Sequence, residues 1–228
     1  KASKTIVSIF INPKQFNNKK DFKRYPKNHK RDLSILKNLK VNYLYLPKPK
    51  QVYDSRRVKK IQIKKKDKIL CAKYRKGHFE GVLDVMDRLT KRIKPKFIFM
   101  GIKDYQQLHL VKNFVEKKHR CKIVPCKTIR NSNKLALSSR NLLLSKKGKS
   151  EAEKLTKNLI KFKRNLKKIK DIQKAITLKK KELSQTYNIN IEYLELRNEK
   201  NLKVTSKTKN SKLFIAFYLD KIRLIDNI

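Results

Sequence analysis

The apolar positions in the first half of the chain alternate between two rhythms. The stretch "TIVSIFINPKQFN" carries an unbroken apolar or small run, Ile6 to Ile11, which predicts a strand covered on both faces, as at the centre of a parallel sheet. That run ends abruptly in Asn12, Pro13, Lys14 and Gln15, a polar finish that burial alone does not explain. Leu33, Leu36 and Leu39 then fall at helical spacing, and "VNYLYLP" reads as the next strand, which completes one βαβ unit. Two lysine-rich segments that follow read as β-like. "EGVLDVMDRLTKRI" places Val82, Val85, Met86, Leu89 and Ile93 on one helical face, and Pro95 closes that helix. "KFIFMG" is a strand, "YQQLHLVKNFVEKK" a helix through Leu108, Val111 and Val115, and "KIVPC" a strand again. Strands alternating with helices predict an α/β fold with a doubly wound parallel sheet, whose ligands sit beyond the carboxyl ends of its strands.

The pattern changes in the second half. Ser150 and Glu153 have the spacing of a capping box, and two lysine-rich helices lead into "INIEYLEL", "KLFIAFYL" and "IRLIDN". This predicts a smaller C-terminal α+β domain. The division is expected at residues 1–128 and 129–228, with no internal repeat and no Gly/Ser linker to mark it.

Composition narrows the function classes. At 228 residues and 39% hydrophobic content, the chain can bury one substantial core, or one core and a satellite. No apolar run reaches membrane-spanning length, and no small-residue cleavage site follows the first strand, so neither a membrane partner nor a secretory signal is expected. Cys71, Cys121 and Cys126 are odd in number and lack CxxC spacing, which suits a reducing, cytoplasmic setting rather than a disulfide framework or zinc site. A formal charge of +45 would ordinarily point to a polyanion. Lysine recurs in every segment instead of clustering, and the abundant Lys, Asn and Ile share A/T-rich codons, so base composition suffices to explain it. Nucleic acid is not expected as a partner.

Candidate chemistry gathers around scarce glycines. Of four in the chain, Gly77 and Gly81 lie in "YRKGHFEGV" and Gly101 lies in "MGIKDYQQL", positions where a positive φ or a close backbone approach is suspected. "FIFMGIKDYQQL" has the shape of a strand end, a turn and a helix start. Its N–H groups, Lys103 and Asp104 outline a phosphate site, and equally an ordinary βα loop with an aspartate cap. "KLALSSRN" offers two hydroxyls and a guanidinium to phosphate oxygens, and equally reads as a simple helix-start loop.

Taken in order, "SIFINPKQF", "RYP", "YRKGHFEGV", "GIKDYQQL", "LALSSRN" and "RLIDN" resemble the pantothenate synthetase family, ATP-dependent ligases that join pantoate to β-alanine. The likeness extends over essentially the whole chain. It implies a Rossmann-like nucleotidyltransferase fold, with ATP as substrate, Mg²⁺ as cofactor and a homodimer formed through the nucleotide-binding domain. It also implies roles for single residues. Asn12, Gln15 and Gln107 bind pantoate, and Gln15 borders β-alanine. Gly101, Ile102, Lys103 and Asp104 form the ATP turn, with Lys103 on the phosphates and Asp104 at the metal. Ile129 makes a backbone contact to the nucleotide, and Leu137, Ser138, Ser139 and Arg140 close over the triphosphate. Lys103 and Arg140 carry the catalytic charge. Arg75 and His78 border the pocket. His29, His109 and His119 match nothing in the family pattern and read as surface residues.

The chain also departs from that pattern. Ile102 stands where the family has Glu, and Asn133 and Lys134 stand where it has Asp-Gly. If Lys134 takes a glycine-like conformation, its loop is strained. The family's HxGH segment has no counterpart, and Lys1 begins where the second strand is expected, so a first strand with its phosphate-gripping histidines is expected upstream of Lys1. Two rivals to a working ligase follow: a truncated, inactive relative, and a basic RNA-binding protein on a nucleotidyltransferase-like scaffold.

Overall fold

The computed structural model describes residues 3–17, 19–54 and 60–228. The first half contains β1 (Ile6–Ser8), α1 (Lys19–Arg24), α2 (His29–Asn38), β2 (Tyr43–Tyr45), α3 (Pro49–Val52), α4 (Cys71–Tyr74), α5 (His78–Ile93), β3 (Phe97–Gly101), α6 (Tyr105–Lys118) and β4 (Lys122–Cys126). The second half contains α7 (Lys146–Asn165), α8 (Ile172–Thr186), β5 (Asn190–Asn198), β6 (Ser211–Leu219) and β7 (Ile222–Asn227). Both pairings in the first half are parallel, β1 with β2 and β3 with β4, as expected of βαβ units. In the second half β5, β6 and β7 form one antiparallel sheet in sequence order.

The α5 face predicted from periodicity is the one that packs: Val82 and Val85 are buried, and Met86, Leu89 and Ile93 half-buried. Leu108, Val111 and Val115 of α6 are buried in the same apolar cluster as Phe79 and Val82 of α5. Lys94 ends α5 in the left-handed conformation and Pro95 prevents its continuation. Tyr193, Phe214 and Ala216 of the C-terminal sheet belong to that cluster, so one apolar core spans the predicted boundary at residue 128. A second cluster lies wholly in the C-terminal half. There α7 and α8 cover the sheet through Leu155, Leu159, Leu183, Leu196, Leu213 and Ile215.

Several expectations are corrected. The first strand is three residues long, and Ile6 is 42% exposed rather than covered on both faces. Among the described residues no ladder joins β1 to β3, so the parallel strands form two separate pairs, and Phe97 and Phe99 of β3 stay exposed. The lysine-rich segments after β2 form no strand among the described residues. Residues 55–59 lie outside them, and Ile61 and Ile63 pack half-buried on the core without ladder partners. Helix α7 starts at Lys146 with Ser145 as its cap, accepting from the Gly148 N–H at 2.9 Å, which leaves Ser150 inside the helix. His119 is not a surface residue: its Nε2 lies 2.7 Å from the buried Asp87, beside Lys118.

Candidate active site

The polar finish of the first strand is a braced turn. Residues Pro13–Gln15 form one turn of 3-10 helix capped by Asn12, whose Oδ1 accepts from the Lys14 N–H at 3.1 Å and from the Tyr53 hydroxyl at 2.7 Å. Asn12 Nδ2 donates to the Gly81 carbonyl at 3.0 Å and lies 3.4 Å from Gln15 Oε1. Asn12 is 1% exposed, and the turn uses both ends of its amide. Gly81 makes the approach possible, because a Cβ there would fall 2.4 Å from the Lys14 carbonyl oxygen. On the far side, His78 Nδ1 donates to the Gln15 carbonyl at 2.7 Å and Arg75 Nη2 donates to the same oxygen at 3.3 Å. His78 Nε2 accepts from Arg75 Nη1 at 3.0 Å, which fixes the neutral ring as the Nδ1–H tautomer.

Burial, followed by the adjacent Arg75 charge, pushes the His78 pKa down from 6.5 to about 3, against the opposing effect of the Gln15 hydrogen bond. A folded-state value below the unfolded one means that unfolding takes up a proton between those two values. This contribution to stability is intact above pH 6.5 and is lost progressively as pH falls toward 3. Urea unfolding between about pH 8 and about pH 5.5, where carboxylates of ordinary pKa stay largely charged, is expected to show a steeper acid loss for wild type than for His78→Asn. The slopes should differ by up to about 1.4 kcal/mol per pH unit; coincident slopes would mean that the folded protein binds the His78 proton as readily as the unfolded chain does.

The turn after β3 carries Lys103 and Asp104. Gly101 has an ordinary φ of −67°, and a Cβ there would meet nothing within 4 Å, so neither reason for suspecting this glycine holds. Gly77, at φ +76°, and Gly81 do meet those expectations. Asp104 flanks α6 without a side-chain capping bond and lies 4.0 Å from Lys103 Nζ, itself largely covered. Ile102, in place of the family's Glu, packs half-buried against the core. The two glutamines that follow divide their tasks. Gln106 is buried and donates to the carbonyls of Asp67 and Ile69, whereas Gln107 makes no side-chain hydrogen bond among the described residues and lines a cleft with Arg75, His78, Lys103 and Asp104. The inner space there is about 30 Å³, room for about two waters.

Sequence reasoning missed what holds this turn in place. Asn227, at the end of β7, donates from Nδ2 to the carbonyls of Ile102 at 2.8 Å and Lys103 at 2.7 Å. Its neighbour Asp226 accepts two hydrogen bonds from Arg130, at 2.6 and 2.9 Å, and Arg130 also donates to the carbonyls of Lys134 and Asn227. The last strand therefore grips both the Lys103 turn and the loop that leads to Ser138. The only advance signal was the terminal "RLIDN", which named the residues without their task.

Ser138 caps a 3-10 turn, Ser139–Leu143, its Oγ accepting from the Arg140 N–H at 3.3 Å. Ser139 and Leu137 are exposed, as is Ile129, whose carbonyl accepts from the Leu137 N–H at 2.9 Å. Lys134 does take the left-handed conformation, at φ +72°. Asn131 and Asn133 both donate to Glu153 of α7, which ties the loop down. The Arg140 guanidinium reaches Asp21 of α1 at 2.8 Å and stands 5.6 Å from the Tyr25 ring centroid. Arg75 is held below the usual guanidinium value, first by burial and further by the charges of Arg140 and Arg223, with Cys71 and Asp21 opposing. The cleft sets Arg75 and Lys103 beside Asp104 and Asp226, with Arg140 and Arg223 near enough for their charges to act on Arg75. As a metal site its donors are sparse: among the described residues no cluster of three His, Cys, Asp or Glu exists. One exposed carboxylate, Asp104, fits a Mg²⁺ ion that takes its other oxygens from phosphates and water, not one caged by protein.

The whole chain, residues 1–228, matches the model of the pantoate-beta-alanine ligase family. It is 38% identical over 227 residues to the pantothenate synthetase of Campylobacter hominis, covering 98% of this chain and 82% of that protein. It is also 38% identical to the pantothenate synthetase of Leptospira interrogans, covering 100% of this chain and 81% of the relative. The crystal structure of pantothenate synthetase from Thermus thermophilus superposes with a TM-score of 0.91 at 28% identity, over 99% of this chain and 83% of that one. The Francisella tularensis pantoate-beta-alanine ligase, solved in complex with beta-gamma ATP and beta-alanine, gives a TM-score of 0.81 at 33% identity, over 99% and 78%. The chain therefore belongs to the pantoate-beta-alanine ligase family.

Proposed function

We propose that this chain condenses pantoate with β-alanine in two steps driven by ATP. The pantoate carboxylate attacks the α-phosphorus of ATP, expelling pyrophosphate and forming pantoyl adenylate. The β-alanine amine then attacks the acyl carbon, AMP leaves with the bonding electron pair, and the amine gives up its proton. The observation that carries this reading is the cleft itself, where the unengaged amide of Gln107 faces the same space as Lys103 and the Arg75–His78 brace behind Gln15.

Each residue has a part in that chemistry. Gln15 and Gln107 hold pantoate's hydroxyl and carboxylate, with Gln15 also bordering β-alanine, while Asn12 serves by shaping the turn that presents Gln15. The turn from Gly101 to Asp104 receives the triphosphate, Lys103 stabilises the charge that builds on it, and Leu137, Ser138, Ser139 and Arg140 close over it, with Ile129 beside the nucleotide. When bound, Mg²⁺ neutralises phosphate charge, with Asp104 as its protein carboxylate. Little covalent work falls to side chains. Their contribution is to hold carboxylate and phosphorus in line.

The test is pantoate- and β-alanine-dependent AMP release by the full-length protein. In Gln107→Ala the pantoate KM should rise about tenfold or more, the cost of one or two lost hydrogen bonds to a charged group, with the ATP KM within about twofold. Absence of AMP release, or equal rises for both substrates, would overturn the reading.

A further inference from the structure

Asp21 pairs with the one arginine of the Ser138–Arg140 segment. It lies on α1, a few residues past Gln15, yet its carboxylate engages Arg140 of the opposite loop at 2.8 Å, across 119 residues of sequence. Beneath the same guanidinium lies Tyr25, one helical turn on from Asp21. Tyr25 in turn packs edge-on against Phe16 at 5.5 Å, and Phe16 against Phe22 at 5.3 Å. An aromatic platform thus joins the residue after Gln15 to the base on which Arg140 rests. Among the described residues only Nη2 of the Arg140 side chain donates a hydrogen bond, so Nε and Nη1 remain for another partner.

We propose that Asp21 is a positioning residue, which with Tyr25 holds the Arg140 guanidinium across the cleft so that its remaining donors meet the ATP triphosphate. An unrestrained arginine samples many rotamers, and a phosphate that captures it must bear the loss of that freedom. A carboxylate on one corner and a ring under the plane remove most of it beforehand, which is how a second layer of contacts prepares a charged group for its ligand. The negative charge of Asp21 opposes the phosphates to some extent. That effect is limited because the carboxylate is paired with Arg140 and 37% exposed to solvent. The pair also links the chain that carries Gln15 to the chain that carries Ser138, placing the two substrate-binding segments in contact through one ion pair.

This inference rests on the ligase reading, and a double-mutant cycle on ATP binding separates the two. Calorimetric titration of the full-length protein with ATP and Mg²⁺ is made for wild type, Asp21→Ala, Arg140→Ala and the double variant. Asp21→Ala should weaken ATP about tenfold, the scale of one charge-assisted hydrogen bond, and by no more than about twofold once Arg140 is already alanine. Asp21→Asn, which keeps an acceptor and loses the charge, should fall between. The pantoate KM should stay within about twofold, a split that general loosening of the fold would not produce. Equal weakening in both backgrounds, unchanged ATP binding, or tighter ATP binding from a carboxylate that had merely competed with phosphate would each overturn the proposal. If the cycle holds but no pantoate-dependent AMP is released, the ligase reading fails and the Asp21–Arg140 assignment stands.

Discussion

Lys103→Ala is expected to slow pantoyl adenylate formation about 10²–10³-fold, the effect of removing one preorganised electrostatic donor at a site of developing charge. The side chain is only 18% exposed, so its ammonium acts in a medium that screens it less than bulk water does. Its backbone carbonyl is fixed by Asn227, which keeps the Lys103 turn from drifting. The residue lines the cleft beside Gln107, on the side where pantoate is proposed to sit. Rapid-quench measurement of pantoyl adenylate isolates this step from amide formation and product release. Lys103→Arg, which keeps the charge but spreads it over a wider head, should recover part of the loss. A wild-type rate in the alanine variant would remove Lys103 from the chemistry.

The sequence named candidate site residues more readily than the contacts that hold them in place. The two rhythms of apolar residues located α5, α6 and the strands that follow each, because burial on one helical face or in a parallel strand leaves a local trace. That trace does not say which strands pair. The run from Ile6 to Ile11 reads as buried on both faces, whereas β1 has a single ladder partner and Ile6 is exposed. Glycine scarcity singled out the turn at Gly101 for a reason that does not hold, since its φ is ordinary, while Gly81 met its expectation through the backbone of a turn far earlier in the chain, at Lys14. Gln15 and Gln107 were singled out only through the family resemblance. Their supports were not legible. The His78 bond to the Gln15 carbonyl spans 63 residues and the Arg130–Asp226 pair spans 96, and no local spacing encodes contacts of that length. Gln106 and Gln107 differ only by one step around a helix, which turns one amide into the core and the other to the cleft.

Asn227→Ala should affect both stability and chemistry, because one side chain serves two backbone carbonyls at the Lys103 turn. Asn227 is 4% exposed, and its Nδ2 supplies both of those bonds. Removing it leaves the Ile102 and Lys103 carbonyls without that donor in a place water reaches poorly, at about 1–3 kcal/mol for each group left unsatisfied. A stability loss of roughly 2–4 kcal/mol in urea unfolding is therefore expected, the lower part of the two-group range, since the turn can relax toward solvent. That relaxation carries the functional consequence. Once released, the turn no longer presents Lys103 at a fixed point, and a charge misplaced by an ångström loses much of its value in an aligned displacement. The ATP-dependent rate should fall by about 10²-fold while the pantoate KM changes much less, because Gln107 is carried by α6 beyond the loosened turn. Asn227→Asp gives a second reading of the same contact. It preserves shape but replaces the donor by a carboxylate facing two carbonyl oxygens, so it should harm the ATP step at least as severely as alanine does. Unchanged unfolding and an unchanged ATP dependence in both variants would show that the last strand ends beside the Lys103 turn without governing it.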